Sequence, residues 1–395
     1  MTTAQQMRAW RGPAVLTVGF RLFFLLAGLW AVLAMALWIA MLAGGLSLPL
    51  ALDPVSWHAH EFLWGYASAV MAGFLLTAVP NWTGRMPVVG WPVAALASLW
   101  LAGRIAMALS GWLPAGWVVG IDLAFLIALA AVLAREIIAG KNWRNLKILV
   151  LVGALVLGNL GFHLAALRGG FAAESAGLRL GLAATVLMIL VIGGRVTPSF
   201  TRNWLVRSGL PPCNAGFGRA DQVALGSSLA ALAVWIAAPA SLVAALLCLI
   251  AGAANLWRLS GWGGQRTLSE PLVTVLHAGY GLTALGFVAV GLAGFGLGDR
   301  FAAQHVWMTG GIATMTLAMM TRAALGHAGL PLTASRPVTA VYLAIVGATL
   351  ARLLAGIPGW HDPMVWLSGA LWLFAFGLYV IVYWPILVHA RKPAG

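Results

Sequence analysis

The sequence predicts an all-α integral membrane protein of about twelve transmembrane helices, and three observations carry that prediction. The 395 residues are 62% hydrophobic and only 8% charged, with a mean hydropathy of +0.95. Runs of about twenty apolar residues, long enough to cross a bilayer as helix, recur from one end of the chain to the other. The basic residues between those runs fall in alternate loops, the pattern of a multi-pass membrane protein. No long polar linker divides the chain, so residues 1–395 read as one polytopic domain.

The spans fall approximately at 20–43, 58–79, 92–109, 115–133, 146–167, 178–196, 220–237, 242–257, 272–297, 303–324, 338–354 and 364–388. Pro239 is nearly all that separates the seventh from the eighth. One set of loops and ends carries Arg8, Arg11, Arg21, Arg85, Arg135, Lys141, Arg144, Lys147, Arg195, Arg202, Arg207 and Arg219. It continues with Arg258, Arg266, Arg322, Arg336, Arg391 and Lys392. The opposite set holds Asp53, Glu174, Asp299 and Asp362 with few bases. Both termini are therefore expected in the cytoplasm.

The first apolar segment is too long, and lacks a small-residue cleavage site, for a cleaved signal peptide. The net charge of +14 is spread over the loops rather than gathered in one patch, which argues against nucleic acid as a partner. Cys213 and Cys248 form neither a CxxC nor a disulfide framework.

The second span carries the densest set of chemically able residues, in the stretch WHAHEFLWGYASAVMAGFLLTAVPNWTGR from Trp57 to Arg85. Ionisable groups within or at the rim of a bilayer are costly, so such a cluster reads as functional by default. His58 and His60 lie about 200° apart on a regular helix and cannot grip one ion together. Glu61 shares the face of His58 and can orient its imidazole. The loop charges put His58, His60 and His305 at the outer ends of the second and tenth spans, with His163 and His361 at the same level. His277 falls in the inner third of the ninth span, and His327 and His389 at the inner rim. His60 is followed by Gly65 and His305 by Gly310, each five residues on. Internal duplication produces that pattern, and so do shared packing needs.

Imidazoles from two helices at one depth can clamp a haem, and neutral imidazole also binds copper or zinc. Met308, one turn below His305, makes a His/Met face suited to a cuprous ion. The plainer reading of the methionines on that helix is packing. His277 opens LHAGYGLTALG, a glycine-rich helix that admits a close neighbour or a macrocycle; a hydrogen-bonded structural histidine reads equally well. His163 follows Asn159 by one turn in GNLGFH and reads as structural. Arg104 and Asp122, on neighbouring spans of opposite direction, either pair as buried charges or leave Arg104 to reach a haem propionate. An inner-rim polar cluster is expected from Arg85, Arg195, Arg202, Arg322 and His327. Anion or lipid-phosphate binding would use it; snorkelling and topology explain the same residues. No P-loop, GxSxG or HExxH is present. No CxxCH is present either, so any haem is non-covalent.

Taken together, the Trp57–Arg85 stretch, GGRVTPSFTRNW, LHAGYGLTALG, QHVWMTGGIATMTLAMMTRAALGH and the twelve-span layout resemble the NnrS family across essentially the whole chain. The resemblance implies a multi-pass bacterial inner-membrane protein that contains haem and copper and relieves nitric oxide stress, in or beside denitrification. Family members commonly read close to GHTGRPL after the tenth span. Here the residues are Gly326, His327, Ala328, Gly329, Leu330, Pro331 and Leu332, and the missing hydroxyl and arginine weaken an anion site in that loop. A more distant likeness is to the catalytic subunit of haem–copper oxidases, by analogy of architecture only. The chain lacks that subunit's histidine-rich sixth and seventh helices.

The resulting expectations are a b-type haem held by His60 and His305, with His277 in reserve and Arg104 at a propionate. Copper is expected at His58, supported by Glu61, with His60, His305 and Met308 as further metal ligands. Nitric oxide and the lipid bilayer are the expected partners, with electrons from quinol or a separate donor. The competing readings are a transporter of copper, haem or a nitrosylated metal complex, and a sensor or assembly factor without turnover. No acid/base constellation is legible, so whether the chain is an enzyme does not follow from the sequence.

Overall fold

The computed structural model describes residues 10–85 and 87–389; Arg8, Arg391 and Lys392, used above for orientation, lie outside them. Every regular element among the described residues is helical, without strand. Twelve long helices succeed one another: α1 Gly19–Leu42, α2 Pro54–Thr83, α3 Trp91–Ala108, α4 Ala115–Ala139, α5 Leu146–Leu167 and α6 Ala176–Arg207. Then come α7 Arg219–Ala237, α8 Leu242–Ser260, α9 Pro271–Gly294, α10 at 300–328, α11 Arg336–Leu354 and α12 His361–Val388. Eleven of these are long and apolar enough to cross a membrane. The chain is therefore an integral membrane protein. The exception is α10, the expected tenth span. It is helical throughout, but Gln304, His305, four threonines and paired glycines make it less apolar than the others.

The helix starts obey local chemistry. Asp53 accepts from Ser56 N at 2.9 Å and Pro54 opens α2; Asp299 accepts from Ala302 N at 2.7 Å to open α10. Both side chains cap amides that a helix leaves without partners. Ser241 caps α8 in the same way, from Ala244 N at 3.1 Å. Together with the turn at Pro239 it makes α7 and α8 separate helices.

Three helices carry a π-helical turn: α2 at Glu61–Ala67, α6 at Ile189–Gly193 and α10 at Val306–Ala313. They are spaced four helices apart along the chain. The sequence pattern linked only the second and tenth spans. A π-turn widens the helix and shifts the register of the turns beyond it, and such turns are frequent at functional sites.

The chain divides into two compact units. Unit 1 holds the chain up to Gly181, Ala323–Leu330 and the stretch from Tyr379; unit 2 holds Leu182–Arg322 and Pro331–Leu378. In unit 1, α1 packs on α2, α3 on α4 and α4 on α5. Arg21 on α1 donates from Nη1 to the carbonyls of Leu387 at 3.3 Å and His389 at 2.7 Å. A Cβ on Gly158 of α5 would lie 2.8 Å from Gly181 N and 2.9 Å from Gly177 O of α6. The two backbones touch there, as small residues allow in membrane helices. Trp64 Nε1 on α2 donates to Leu155 O on α5 at 3.1 Å. These contacts seat the segment of α5 that bears Asn159 and His163. In unit 2, α7, α8 and α9 pack in succession, and α9 and α11 flank the π-turn of α10.

Candidate functional site

Inside unit 1, four helices bring polar side chains to one buried point. His60 closes the first α-helical segment of α2, and Glu61 begins its π-turn. Arg104 comes from α3, Asp122 from α4, and Asn159 and His163 from successive turns of α5. His60 and Glu61 have no exposed surface, and Asp122, Arg104, Asn159 and His163 are buried with them.

Asp122 is the hub. Its Oδ2 lies 3.0 Å from His60 Nε2, 3.0 Å from His163 Nε2 and 2.7 Å from Asn159 Nδ2. Arg104 holds the other oxygen, Oδ1, through Nη2. Through Nη1 it also donates to Glu61 Oε1 at 2.6 Å, and that oxygen faces His60 Nδ1 at 3.0 Å. Both ring nitrogens of His60 thus face carboxylate oxygens, which only accept when ionised. Either the ring donates from both, or one carboxyl carries the proton. The sum over Glu61, Asp122, Arg104 and that proton is then neutral, as burial in an apolar bundle demands. Glu61 Oε2 and Trp30 Nε1 remain without hydrogen bonds. Both approach Gly65, where a Cβ would stand 2.9 Å from the first and 2.6 Å from the second.

His60 Nε2, Asp122 and His163 offer three ligand-type atoms within 4.8 Å of one another. A cavity of about 70 Å³ adjoins them, bordered by Met107, Ser110, Val118, Ala166 and His163. The Nδ1 of His163 makes none of the described hydrogen bonds.

The structure gathers only some of the expected site residues. Glu61 bonds His60 and Arg104 rather than His58, correcting the expectation that it backs His58; the guanidinium of Arg104 on α3 and the His60 ring claim the same carboxylate oxygen. His58 lies against Trp38, stacked at 4.6 Å, and Phe62 at 4.6 Å. His305 lies in unit 2, half-buried, with Nδ1 2.7 Å from Phe301 O. A carbonyl only accepts, so Nδ1 carries a proton. Met308 sits within the π-turn of α10, where the one-turn relation to His305 assumed for an α-helix does not hold. His277, also in unit 2, has Nε2 2.7 Å from Thr201 Oγ1. That hydroxyl gives its proton to Thr197 O at 2.8 Å, so His277 donates from Nε2. Its Nδ1 lone pair is buried and without a partner.

The inner-rim residues divide between the units. Arg85 bonds Glu136 Oε2 at 2.6 Å, and His327 stacks on Phe20 at 5.0 Å, both in unit 1. In unit 2, Arg322 lies 4.1 Å over the Phe200 ring with Nη1 unpaired, Arg202 is exposed and Arg195 half-buried.

Two sets of residues escaped the sequence reading. His163 and Asn159 were read as structural, yet both reach Asp122; their i, i+4 spacing on one face of an apolar span was the available signal. Arg258 was counted as a loop base. It is buried in unit 2, bonding Asp221 Oδ1 at 2.7 Å, Tyr280 Oη at 2.8 Å and the Leu190 carbonyl at 2.9 Å. It thereby satisfies a carbonyl in the π-turn of α6.

No curated protein matches the chain. A family model described as NnrS protein matches residues 14–391, nearly all of the 395, and the chain belongs to the NnrS family.

Proposed function

We propose that this chain is a haem- and copper-binding protein of the bacterial inner membrane that relieves nitric oxide stress, with both termini in the cytoplasm. Family membership supports the nitric oxide response. The observation that carries metal binding is the buried His60–Asp122–His163 set, with three ligand-type atoms converging inside an apolar unit. His60 has the carboxylate-backed imidazole of a metal ligand, with Glu61 behind it. Asn159 holds His60 and Asp122 in register, and Arg104 offsets one of the two carboxylate charges.

Haem makes different demands. The cavity at His163, about 70 Å³, is far below the roughly 300–1,000 Å³ of small-molecule pockets, so a macrocycle does not fit there in this packing. As an axial ligand, His60 would have to release Asp122 and Asn159. His277 suits that role better, with its proton on Nε2 and a buried Nδ1 lone pair that has no partner. Bound haem would supply an iron able to take nitric oxide, and electrons would come from quinol or a separate donor. A second reading, a transporter of copper, haem or a nitrosylated complex, is favoured by the cavity that brings His163 to the edge of the cluster.

The test is an optical spectrum of the detergent-purified protein, oxidised, reduced and exposed to nitric oxide, with iron and copper measured alongside. It is paired with survival of a deletion strain under nitric oxide. Reduced haem bands with near-stoichiometric iron, and a nitric oxide-sensitive strain, are expected. A colourless protein from haem-replete cells would overturn the haem reading and put the transporter first.

A further inference from the structure

We propose that Arg322 and Arg207 form a phosphate site where helix ends of unit 2 meet, filled by the phosphate of a lipid headgroup or by free phosphate. Arg207 is the last residue of α6, and Arg322 lies in the closing turns of α10. Glu270 caps the start of α9, and Tyr342 stands near the start of α11. Arg207, Glu270 and Tyr342 are all close enough to Arg322 to act on its charge.

Arg322 differs from the other buried arginines. Among the described residues, Arg21, Arg104, Arg258 and Arg322 are each nine-tenths or more buried. Arg104 pairs with Glu61 and Asp122, and Arg258 with Asp221. Arg21 donates to two backbone carbonyls. Arg322 forms none of the described ion pairs, and its Nη1 is buried without a hydrogen-bond partner. A buried charge left unmatched is costly, so this guanidinium requires an anion. Glu270 is the acid that acts on it, but Glu270 Oε1 is committed to Leu272 N at 3.1 Å and Ala334 N at 2.9 Å. Arg207 brings a second positive charge rather than a counter-ion.

Donor chemistry and position select the anion. The Arg322 guanidinium carbon stands 4.1 Å from the centre of the Phe200 ring. Such a contact orders the guanidinium without using its N–H groups, whose fork matches phosphate oxygens two at a time. Arg207 is exposed and uses Nε on Asn203 O at 3.3 Å, which leaves its terminal nitrogens for the same ligand. The ends of membrane-spanning helices stand at the level of the headgroups, where phosphate is the abundant anion. Val206 and Leu210, on either side of Arg207 in the chain, are exposed and suit the acyl chain that a headgroup would bring with it.

The experiment uses the full-length protein, delipidated in detergent, and follows its melting temperature at constant ionic strength. The probes are dihexanoylphosphatidylglycerol, dihexanoylglycerol with the same chains and no phosphate, and inorganic phosphate against chloride. Saturable stabilisation by the phospholipid, and none by the diacylglycerol, is expected. Arg322→Gln should weaken that response at least about tenfold, the loss of one or more hydrogen bonds between charged groups. Arg207→Gln, at an exposed side chain that folding does not require, should weaken it as well, and Arg144→Gln in unit 1 should leave it unchanged. A response to the phospholipid alone assigns the site to a headgroup; an equal response to inorganic phosphate, lost in Arg322→Gln, assigns it to the free anion. Phosphorus that survives delipidation in the wild type and is lost in Arg322→Gln would also uphold the site. Equal stabilisation by the diacylglycerol, no saturable effect on protein free of phosphorus, or a response unchanged in Arg207→Gln and Arg322→Gln would each overturn it. Should Arg322→Gln fail to fold, Arg207→Gln and the wild-type comparison of the two lipids decide.

Discussion

His163 Nε2 and Asp122 Oδ2 lie 3.0 Å apart, joining two helices, α5 and α4, that are otherwise apolar over most of their length. The same oxygen takes His60 and Asn159, so one carboxylate organises three helices of unit 1. Arg104 adds a fourth.

Asp122→Leu is expected to be among the most damaging single changes in unit 1. It strips Arg104 of one counter-ion and three donors of their acceptor at once. Breaking a buried charge pair from one side costs on the order of 3–5 kcal/mol. Asn159→Leu, which removes neutral hydrogen bonds, should cost about 1–3 kcal/mol. Thermal unfolding in detergent ranks the two; an equal or reversed order would show that Asp122 is not the hub.

Gly65→Ala should destabilise by about 1–3 kcal/mol, the usual range for overpacking. Its Cβ would stand 2.6 Å from Trp30 Nε1, 2.9 Å from Glu61 Oε2 and 3.0 Å from Arg104 Nη1. Gly153→Ala, where nothing lies within 4 Å, should be neutral or slightly stabilising, since alanine favours helix by up to about 1 kcal/mol. Comparing the two melting temperatures separates steric cost at the cluster from a general effect of glycine replacement.

Arg258→Met should cost on the order of 3–5 kcal/mol, because it leaves Asp221 buried without its partner and the Leu190 carbonyl without a donor. Tyr280→Phe removes only the hydroxyl that links Arg258 to Asn255 and should cost about 1–2 kcal/mol. Protease protection of unit 2 reads both; a silent Arg258→Met would show that the π-turn of α6 does not depend on it.

Cys213 lies in the loop between α6 and α7, which faces the cytoplasm if the proposed orientation holds. Burial raises its thiol above the ordinary range, so less thiolate is present at neutral pH than for a free cysteine. Maleimide labelling should therefore be slow near neutrality and accelerate as pH rises past the usual thiol value. An impermeant maleimide should reach it in inverted vesicles and not in intact cells. Labelling of intact cells would overturn the orientation. Cys248, fully buried in α8, should stay unlabelled in both.

The number and order of the long helices and the turn at Pro239 are legible in the sequence alone. They depend on local hydropathy and on proline, both of which act within a few residues. Which polar groups meet depends on the rotation of each helix about its axis, and composition carries little of that. Glu61 pairs with His60 and Arg104 instead of the expected His58, because Arg104 arrives from another helix, and nothing in the local stretch announces it. His163 and Arg258 were visible as residues but not as partners, because Asp122 and Leu190 lie on helices far away in the chain. Local chemistry determined the spans; only the packing of those spans in three dimensions decided that Asp122 would gather His60, His163, Asn159 and Arg104, because buried charge is stable only where its partners converge.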